Sequence, residues 1–372
     1  MTVNRLVALD MPASVEFADH VRKAWDSGDA VFPIDQRLPQ AAKDSLVEQF
    51  KPSVLIDRTG SVVNLLGSEP TEEGDALVIA TSGSTGAPKG VVHTHDSIRA
   101  LLNMSQARLR TDSSTHWLLC LPVSHVAGFS VLARSLVFGN PISILPKFDE
   151  SEVLAAAKSG ATHISLVPTT LNRIDPAIFE SILLGGAAAP PNLPANVTTT
   201  YGMTETFGGI VYNGIPLDGI HVRVADEHIE LQSPSLFRTY RGSKAQLSAE
   251  GWYETGDNGS FTNNVLQVFG RSDDMIITGG ENVWPIAVER VVSTIPGVER
   301  VVVRGIDDAQ WGQRVVAWIV SSNAVAPSLE KVRQHVKQQL PSFCAPTEIR
   351  IVNDIPTTSL GKVDFQALKN LW

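Results

Sequence analysis

Short apolar segments alternate with longer helix-forming segments through the first two hundred residues of the chain. The apolar segments have the length and composition of buried β-strands, and several are separated by stretches of helical character. They lie at residues 76–80, 116–121, 142–145, 163–167, 181–184 and 197–201. Because strands joined through helices tend to run parallel, this alternation predicts a layered α/β architecture with a largely parallel sheet. Asp96 is predicted to be the N-cap of a helix that ends near Arg110.

The pattern changes twice further along the chain. Residues 208–269 contain short alternating segments separated by Gly and Asn turns, which predicts a β-rich subdomain. Beyond residue 270, strand and helix patterns alternate over a length suited to a small α+β domain. We therefore predict a large N-terminal domain over residues 1–270 and a small C-terminal domain over residues 271–372.

The composition excludes several classes of protein. With 43% hydrophobic and 19% charged residues the chain can bury a substantial core, and its formal charge of −9 offers no basic field for nucleic acid or anionic membranes. Its two cysteines, Cys120 and Cys344, lie far apart and outside any CxxC pattern, which disfavours a disulfide scaffold and a zinc site. No segment has the pattern of a signal peptide or of a membrane helix. We therefore expect a cytoplasmic protein with no nucleic-acid partner and no membrane insertion, and the sequence leaves homodimer formation open.

A ten-residue segment has the composition of a phosphate-binding loop. The sequence TSGSTGAPKG at residues 81–90 follows an apolar strand and contains three glycines, four hydroxyl residues and Lys89. Glycines let backbone N–H groups approach a phosphate, hydroxyls add donors, and the lysine supplies a compact positive charge. The spacing is neither that of the P-loop nor that of the GxGxxG fingerprint. The segment therefore indicates a phosphate site of another kind.

This loop closely resembles the signature of adenylate-forming enzymes, the superfamily of acyl-CoA synthetases, peptide-synthetase adenylation domains and luciferases. Six more of its motifs follow in order: PVSHVAGF (122–129), LLGGAAAP (183–190), YGMTET (201–206), YETGD (253–257), GRSDDMIITGGENVWPIAVE (270–289) and PTTSLGK (356–362). The resemblance implies a two-step reaction. A carboxylate attacks the α-phosphate of ATP to give an acyl-adenylate and pyrophosphate, and the thiol of coenzyme A then displaces AMP. It also implies Mg²⁺, and a large domain that binds ATP and the acid and is shortened at its N-terminus relative to ordinary members.

The resemblance assigns nucleotide-binding roles to four groups of residues. Those expected to hold the β- and γ-phosphates are Thr81, Ser82, Gly83, Ser84, Thr85, Gly86 and Lys89. Those expected around the adenine are Gly185, Gly186, Ala187, Tyr201, Gly202 and Met203, with Tyr201 stacking on the ring. Those expected near the ribose are Asp257 and Arg271. Thr204 is expected to contact the α-phosphate, and Glu205 to help hold Mg²⁺.

The resemblance implies that the small C-terminal domain is mobile and that residues near the C-terminus act through its movement. Lys362 would reach from the small domain to bridge the substrate carboxylate and the α-phosphate, where charge develops in the transition state. Asp273 matches the hinge of the superfamily. The residues expected to face the thiol tunnel and bind coenzyme A are Gly279, Gly280 and Glu281.

The acid is indicated by an arginine in an apolar segment. Arg134 lies nine residues after His125 in a predicted helix, and a buried charge is costly unless it is paired or reaches water. It either extends to solvent at a helix edge or binds a second carboxylate of the substrate through its forked guanidinium. The latter pattern, together with TYGMTETFGGIVYNGIPLDGI (200–220), resembles the o-succinylbenzoate–CoA ligases of menaquinone biosynthesis. His125 would then gate or contact the acyl pocket, and Phe207, Gly208 and Gly209 would form its wall.

Three functions stay open at this point. The first is a Mg·ATP-dependent ligase acting on o-succinylbenzoate. The second keeps the chemistry but takes a fatty acid or a simple aryl acid. The third is a nucleotide-binding protein without catalysis, against which the joint presence of Glu205, Asp257 and Lys362 argues.

Overall fold

A computed structural model describes residues 4–82, 88–187, 189–190, 192–242, 247–322, 326–356 and 363–371. The chain divides into two compact units. The first comprises Met1–Ala189, Pro194–Val222 and Leu231–Tyr253, and the second comprises Pro190–Leu193, Arg223–Glu230 and Glu254–Trp372. The predicted domain boundary between residues 270 and 271 stays a prediction.

The strands are β1 (Leu6–Asp10), β2 (Ala30–Pro33), β3 (Val54–Asp57), β4 (Val62–Asn64), β5 (Asp75–Ser82), β6 (Pro88–Thr94), β7 (Trp117–Leu119), β8 (Ile142–Ile144), β9 (His163–Leu166), β10 (Ser181–Leu184), β11 (Val197–Met203), β12 (Gly208–Tyr212), β13 (Ile215–Pro216), β14 (His221–Ala225), β15 (His228–Gln232), β16 (Thr239–Tyr240), β17 (Tyr253–Thr262), β18 (Val265–Arg271), β19 (Ile276–Thr278), β20 (Glu281–Val283), β21 (Val298–Asp308), β22 (Gly312–Ser321) and β23 (Glu348–Val352). The helices are α1 (Val15–Asp26), α2 (Gln40–Phe50), α3 (His95–Leu109), α4 (Val126–Phe138), α5 (Glu150–Lys158), α6 (Pro168–Leu171), α7 (Pro285–Val292), α8 (Leu329–Lys337) and α9 (Phe365–Asn370).

The first unit contains two mixed sheets with parallel centres. One has the order β16-β6-β5-β2-β1-β3-β4, and its strands β5, β2, β1 and β3 pair in parallel. The other has the order β13-β12-β11-β10-β9-β7-β8 and is parallel from β8 to β11. Fully buried aromatic rings pack against these sheets, among them Phe32, Trp117 and Phe129. The predicted α/β class with largely parallel sheets is confirmed.

Helix α3 begins earlier than its sequence suggests. Its N-cap is Thr94, whose Oγ1 accepts a hydrogen bond from the Ser97 N–H at 3.1 Å, while the Ser97 Oγ accepts one from the Thr94 N–H at 3.1 Å. The prediction that Asp96 is the cap is therefore wrong. Asp96 instead lies in the first turn, where a negative charge favours the helix dipole.

The second unit contains a five-stranded sheet and most of a four-stranded one. The four-stranded sheet has the order β14-β15-β17-β18, which agrees with the β-rich pattern predicted for residues 208–269. The five-stranded sheet has the order β20-β19-β22-β21, with β23 pairing in parallel to β22. Helices α7 and α8 supply Val288, Val292, Val332 and Val336 to its core. No helix in the described part of the chain is long and apolar enough to cross a bilayer.

Candidate functional site

The described residues of the phosphate-loop motif lie at the paired ends of strands β5 and β6 in the first unit. Strands β5 and β6 pair antiparallel with Thr81 opposite Lys89, and Thr81 Oγ1 donates to the Lys89 carbonyl at 3.4 Å. The motif residues that connect the strands, Gly83, Ser84, Thr85 and Gly86, lie outside the described residues, as does the side chain of Ser82. Lys89 is exposed, with its Nζ 5.2 Å from the centroid of the Tyr240 ring.

The TET segment forms a 3-10 turn that is held from two sides. His93 on β6 is fully buried, and its Nε2 lies 2.7 Å from the Thr204 carbonyl oxygen. Because a carbonyl only accepts, Nε2 carries the proton. On the other side, the Phe237 N–H donates to the Glu205 carbonyl at 2.7 Å and the Tyr240 hydroxyl donates to Glu205 Oε1 at 2.9 Å. The backbone and the carboxylate of Glu205 are thus both held in place.

The residues predicted around the adenine lie directly after β10 and in the last part of its parallel neighbour β11. Gly185 follows β10, and a Cβ built there would lie 2.5 Å from Thr200 Oγ1 on β11. Tyr201 is half-buried on β11, and at Gly202 a Cβ would lie 1.9 Å from the Gly208 carbonyl oxygen. Only glycine at Gly202 lets β12 approach this closely. Of the remaining predicted residues, Gly186 and Ala187 are exposed and Met203 is half-buried.

In the second unit, the predicted ribose-binding residues are direct neighbours. Asp257 on β17 lies opposite Arg271 on β18, and Asp257 Oδ1 is 3.5 Å from Arg271 Nη1. Asp257 is largely buried, and its backbone N–H donates to Thr255 Oγ1 at 3.0 Å. A Cβ at Gly256 would lie 2.9 Å from Arg271 Nη2, so the glycine admits the arginine. This carboxylate is therefore held in place and has a cation beside it.

The predicted hinge and thiol-tunnel residues lie on exposed turns of the second unit. Asp273 is exposed in a 3-10 turn, Ser272–Asp274, directly after β18. Gly279 and Gly280 form the turn between β19 and β20, and Glu281 opens β20 as an exposed residue. The Gly279 N–H donates to the Trp311 carbonyl at 2.8 Å, which fixes this turn. Lys362, the residue predicted to act in adenylation, lies outside the described residues.

Arg134 is buried in the first unit with neutral partners. It lies on α4 and is 3% exposed. Its Nη2 donates to Ser105 Oγ at 2.7 Å, and its guanidinium carbon lies 4.5 Å from the centroid of the Trp117 ring. Ser105 Oγ is in turn 2.8 Å from the Tyr212 hydroxyl. Burial lowers the pKa of Arg134 from its ordinary value, and Tyr212 opposes part of that shift.

The surroundings of Arg134 distinguish between its two predicted roles. Extension to solvent at a helix edge is wrong, because burial keeps its side chain from water. Among the described residues, no carboxylate lies within 4.0 Å of its guanidinium and its Nε has no hydrogen-bond partner. A buried cation in this state has unused capacity for an anion. Of the predicted pocket wall, Gly208 and Gly209 are half-buried, whereas the Phe207 ring is fully buried against His93 and Phe129.

His125 belongs to a cluster that the sequence did not reveal. Its Nε2 lies 2.8 Å from Arg37 Nη2 and 3.5 Å from Asp35 Oδ2. Arg37 also forms a two-point ion pair with Asp35, at 2.9 and 2.6 Å. Because a guanidinium only donates, Nε2 must accept, so the proton of this imidazole resides on Nδ1. Although burial opposes it, the hydrogen bonds that Arg37 donates from its guanidinium and its backbone N–H hold the pKa of Asp35 well below its usual value.

The sequence around the residues that contact His125 and Glu205 gave little indication of these contacts. Asp35 and Arg37 form an opposite-charge pair directly after an apolar strand, which was a usable sign of an ordered turn. Tyr240 lies in an arginine-rich segment without any motif that resembles those quoted, and its contact with Glu205 depends on tertiary structure.

Comparison with known families and proteins gives consistent matches. Residues 65–231 match the AMP-binding enzyme family, and residues 287–362 match the AMP-binding enzyme C-terminal domain. A probable 2-succinylbenzoate–CoA ligase of Mycobacterium tuberculosis is 39% identical over 82% of this chain and 88% of that protein. The 2-succinylbenzoate–CoA ligase of Enterococcus faecalis is 30% identical over 78% of this chain and 68% of that protein.

Solved structures agree with these matches. The o-succinylbenzoate CoA synthetase of Bacillus subtilis, in complex with the acyl-adenylate intermediate OSB-AMP, superposes with a TM-score of 0.85 at 25% identity, over 99% of this chain and 89% of that chain. ATP-bound MatB of Rhodopseudomonas palustris has the same fold, with a TM-score of 0.87 at 22% identity over 100% of this chain and 89% of that one. The motifs, the fold and the extent of these matches lead to one conclusion: this chain belongs to the family of AMP-binding, adenylate-forming enzymes.

Proposed function

We propose that this protein is an ATP-dependent acid–CoA ligase that converts 2-succinylbenzoate to its CoA thioester through an acyl-adenylate. The observation that carries the substrate assignment is Arg134, a buried guanidinium with an unused Nε and no carboxylate within reach among the described residues. A dicarboxylic acid can be activated at one carboxylate while the other satisfies this cation. The printed names of the relatives from M. tuberculosis and E. faecalis support the same substrate.

The two half-reactions place different demands on the chain. In the first, an oxygen of the acid attacks the α-phosphate of ATP and pyrophosphate leaves. This step needs positioning and charge neutralisation more than covalent help. Lys89, Thr204 and Lys362 are proposed to supply donors and positive charge around the phosphates. In the second, the thiol of coenzyme A attacks the acyl carbonyl and AMP leaves, and Gly279, Gly280 and Glu281 are proposed to face the thiol.

Mg²⁺ fits the residues present. In the described part of the chain no group of three or more His, Cys, Asp or Glu side chains could hold a metal ion by itself. Mg²⁺ typically binds through one or two carboxylates together with substrate phosphates, so a single held carboxylate such as that of Glu205 suits it. When bound, the metal would neutralise the charge of the pyrophosphate group. The cytoplasmic location stays a prediction, which the two unpaired buried cysteines, Cys120 and Cys344, support.

A matched panel of acids tests this proposal. Pyrophosphate exchange into ATP and CoA-thioester formation would be measured with 2-succinylbenzoate and with two analogues, each lacking one carboxylate: 4-oxo-4-phenylbutanoate and 2-butanoylbenzoate. Benzoate and a medium-chain fatty acid complete the panel. The proposal expects a marked preference for the dicarboxylate. Equal rates with a monocarboxylate would sink the substrate assignment, and the absence of ATP-dependent CoA consumption with every acid would favour a non-catalytic nucleotide-binding protein.

A further inference from the structure

Residues 237–240 hold Glu205, the predicted metal-binding residue, at both its backbone and its side chain. The Phe237 N–H donates to the Glu205 carbonyl at 2.7 Å, and three residues later the Tyr240 hydroxyl donates to Glu205 Oε1 at 2.9 Å. The Phe237 and Tyr240 rings also pack on each other, with centroids 4.6 Å apart. Both contacts lie within the first unit, so they do not depend on any movement of the second.

The direction of the hydrogen bonds follows from the number of protons available. Tyr240 has a single hydroxyl proton, and an ionised carboxylate only accepts, so this proton is directed at Glu205. The Tyr253 hydroxyl, 3.1 Å from that of Tyr240, must then be the donor to the Tyr240 oxygen. Tyr240 therefore remains a donor to the carboxylate.

The same ring contacts the cation of the phosphate-loop motif. Tyr240 on β16 pairs with Val91 on β6, and Lys89 Nζ lies 5.2 Å from the ring centroid, within the range of a cation–π contact. Lys89 and Glu205 form no ion pair with each other in the part of the chain that the structure describes. One side chain thus contacts an expected phosphate ligand through its ring and an expected metal ligand through its hydroxyl.

We propose that Tyr240 is a positioning residue for the metal of Mg·ATP: its hydroxyl holds the Glu205 carboxylate in one orientation, and its ring contacts the Lys89 ammonium. This inference rests on the proposed function, because it takes Glu205 to be the metal-binding carboxylate. Without the hydroxyl, the carboxylate would have to be ordered each time the metal–nucleotide complex binds. The cost should therefore appear in metal binding more than in the rate of the bound complex.

Tyr240→Phe tests this, because it keeps the ring and removes only the hydroxyl. Binding of Mn²⁺ to the enzyme–ATP mixture would be followed by electron paramagnetic resonance, and ATP binding without metal by calorimetry. We expect about a tenfold loss of Mn²⁺ affinity, the size expected for losing a hydrogen bond to a charged group. Metal-free ATP binding should change little. Thermal unfolding of the variant verifies that it is folded.

A double-mutant cycle separates this role from a merely structural one. In the Glu205→Gln background, Tyr240→Phe should have almost no further effect on Mn²⁺ affinity, because the group it positions no longer carries charge. An unchanged Mn²⁺ affinity in Tyr240→Phe, or the same loss in both backgrounds, would overturn the inference. If the wild type binds Mn²⁺·ATP in a Tyr240-dependent manner but adenylates no acid, the inference stands and the proposed function fails. If it turns over and Tyr240→Phe binds metal normally, only the inference fails.

Discussion

The Nη2 atom of Arg134 on α4 donates to the hydroxyl of Ser105 on α3 at 2.7 Å, so this buried cation has a neutral partner. A guanidinium usually enters a protein interior with a carboxylate beside it, because desolvating a lone charge is expensive. Trp117 and Ser105 compensate only in part, since Nε has no partner in the described structure. An anionic group of the substrate would complete the site, which makes Arg134 the residue on which selectivity should depend.

Arg134→Ala should therefore lower kcat/KM for 2-succinylbenzoate by roughly 30- to 1,000-fold, the equivalent of about 2–4 kcal/mol for a buried charge pair that loses one partner. The same variant should change kcat/KM far less for the analogue lacking the carboxylate that this arginine binds. Steady-state kinetics on both acids decide this, with circular dichroism to show that the variant is folded. Equal losses on both acids would mean that Arg134 supports the fold and does not read the second carboxylate.

The Asp35–Arg37 pair should orient His125 on the acyl side of the reaction. Arg37→Ala removes the contact to His125 Nε2 and the guanidinium that pairs with the buried carboxylate of Asp35. We expect KM for the acid to rise severalfold while KM for ATP stays the same, because the imidazole is then free to rotate. Kinetics with each substrate varied separately measure this.

Arg5→Ala is the matched control for Arg37→Ala. Arg5 likewise forms an ion pair with a buried aspartate, Asp29, at 2.7 Å, and is similarly exposed. Arg5 has no described contact with His125. The Arg5→Ala variant should therefore lower the midpoint of unfolding without raising KM for the acid. If both variants raise that KM equally, a general loosening of the first unit explains the effect and Arg37 has no special role.

Lys362 should act in only one of the two half-reactions. Lys362→Ala should abolish pyrophosphate exchange, because the charge that develops between the carboxylate and the α-phosphate would lose its cation. Thioester formation from a synthetic acyl-adenylate and coenzyme A should remain close to the wild-type rate. Single-turnover measurements of each step provide the comparison, and a folded variant in which both steps collapse would contradict the assigned role.

Local sequence patterns predicted the elements of this fold better than the contacts between them. Strand β10 at Ser181–Leu184 was predicted within its observed bounds, because a buried strand is visible as an apolar run. The N-cap of α3 was predicted at the wrong residue because Thr94 and Asp96 are both good capping residues. The end of strand β6 at Thr94 determines which of the two is the cap. Local chemistry alone does not rank two such candidates two residues apart.

The candidate site shows the same difference between what local patterns predict and what tertiary contacts determine. Glu205 and Asp257 were predicted as site residues because each lies inside a short motif that resembles one of the adenylate-forming enzymes. Their supporting residues were missed because they come from distant parts of the chain. Tyr240 is 35 residues from Glu205, and Arg37 is 88 residues from His125. Only the packing of the sheets and helices brings such pairs together, and the hydrophobic periodicity of the sequence does not predict these contacts.

His93 should make the stability of this protein depend on pH. Its imidazole is fully buried, donates from Nε2 to the Thr204 carbonyl and packs on the Phe207 ring. Burial lowers the pKa of His93 to about 4, against 6.5 for an ordinary histidine. Between these two values the unfolded chain binds a proton that the native protein does not. The free energy of unfolding therefore falls as pH decreases through this range.

His93→Gln should flatten that dependence, because an amide can still donate to the Thr204 carbonyl but does not titrate. Between pH 7 and pH 5 the variant should lose about 2 kcal/mol less stability than the wild type, since each unit of pKa difference is worth about 1.4 kcal/mol. Urea unfolding at the two pH values, followed by circular dichroism, measures the difference. His221→Gln, at an exposed position, controls for the loss of a histidine as such. If the wild type and His93→Gln lose the same stability on acidification, the buried imidazole is not the group that couples protonation to the fold, and the turn that presents Glu205 does not depend on keeping it neutral.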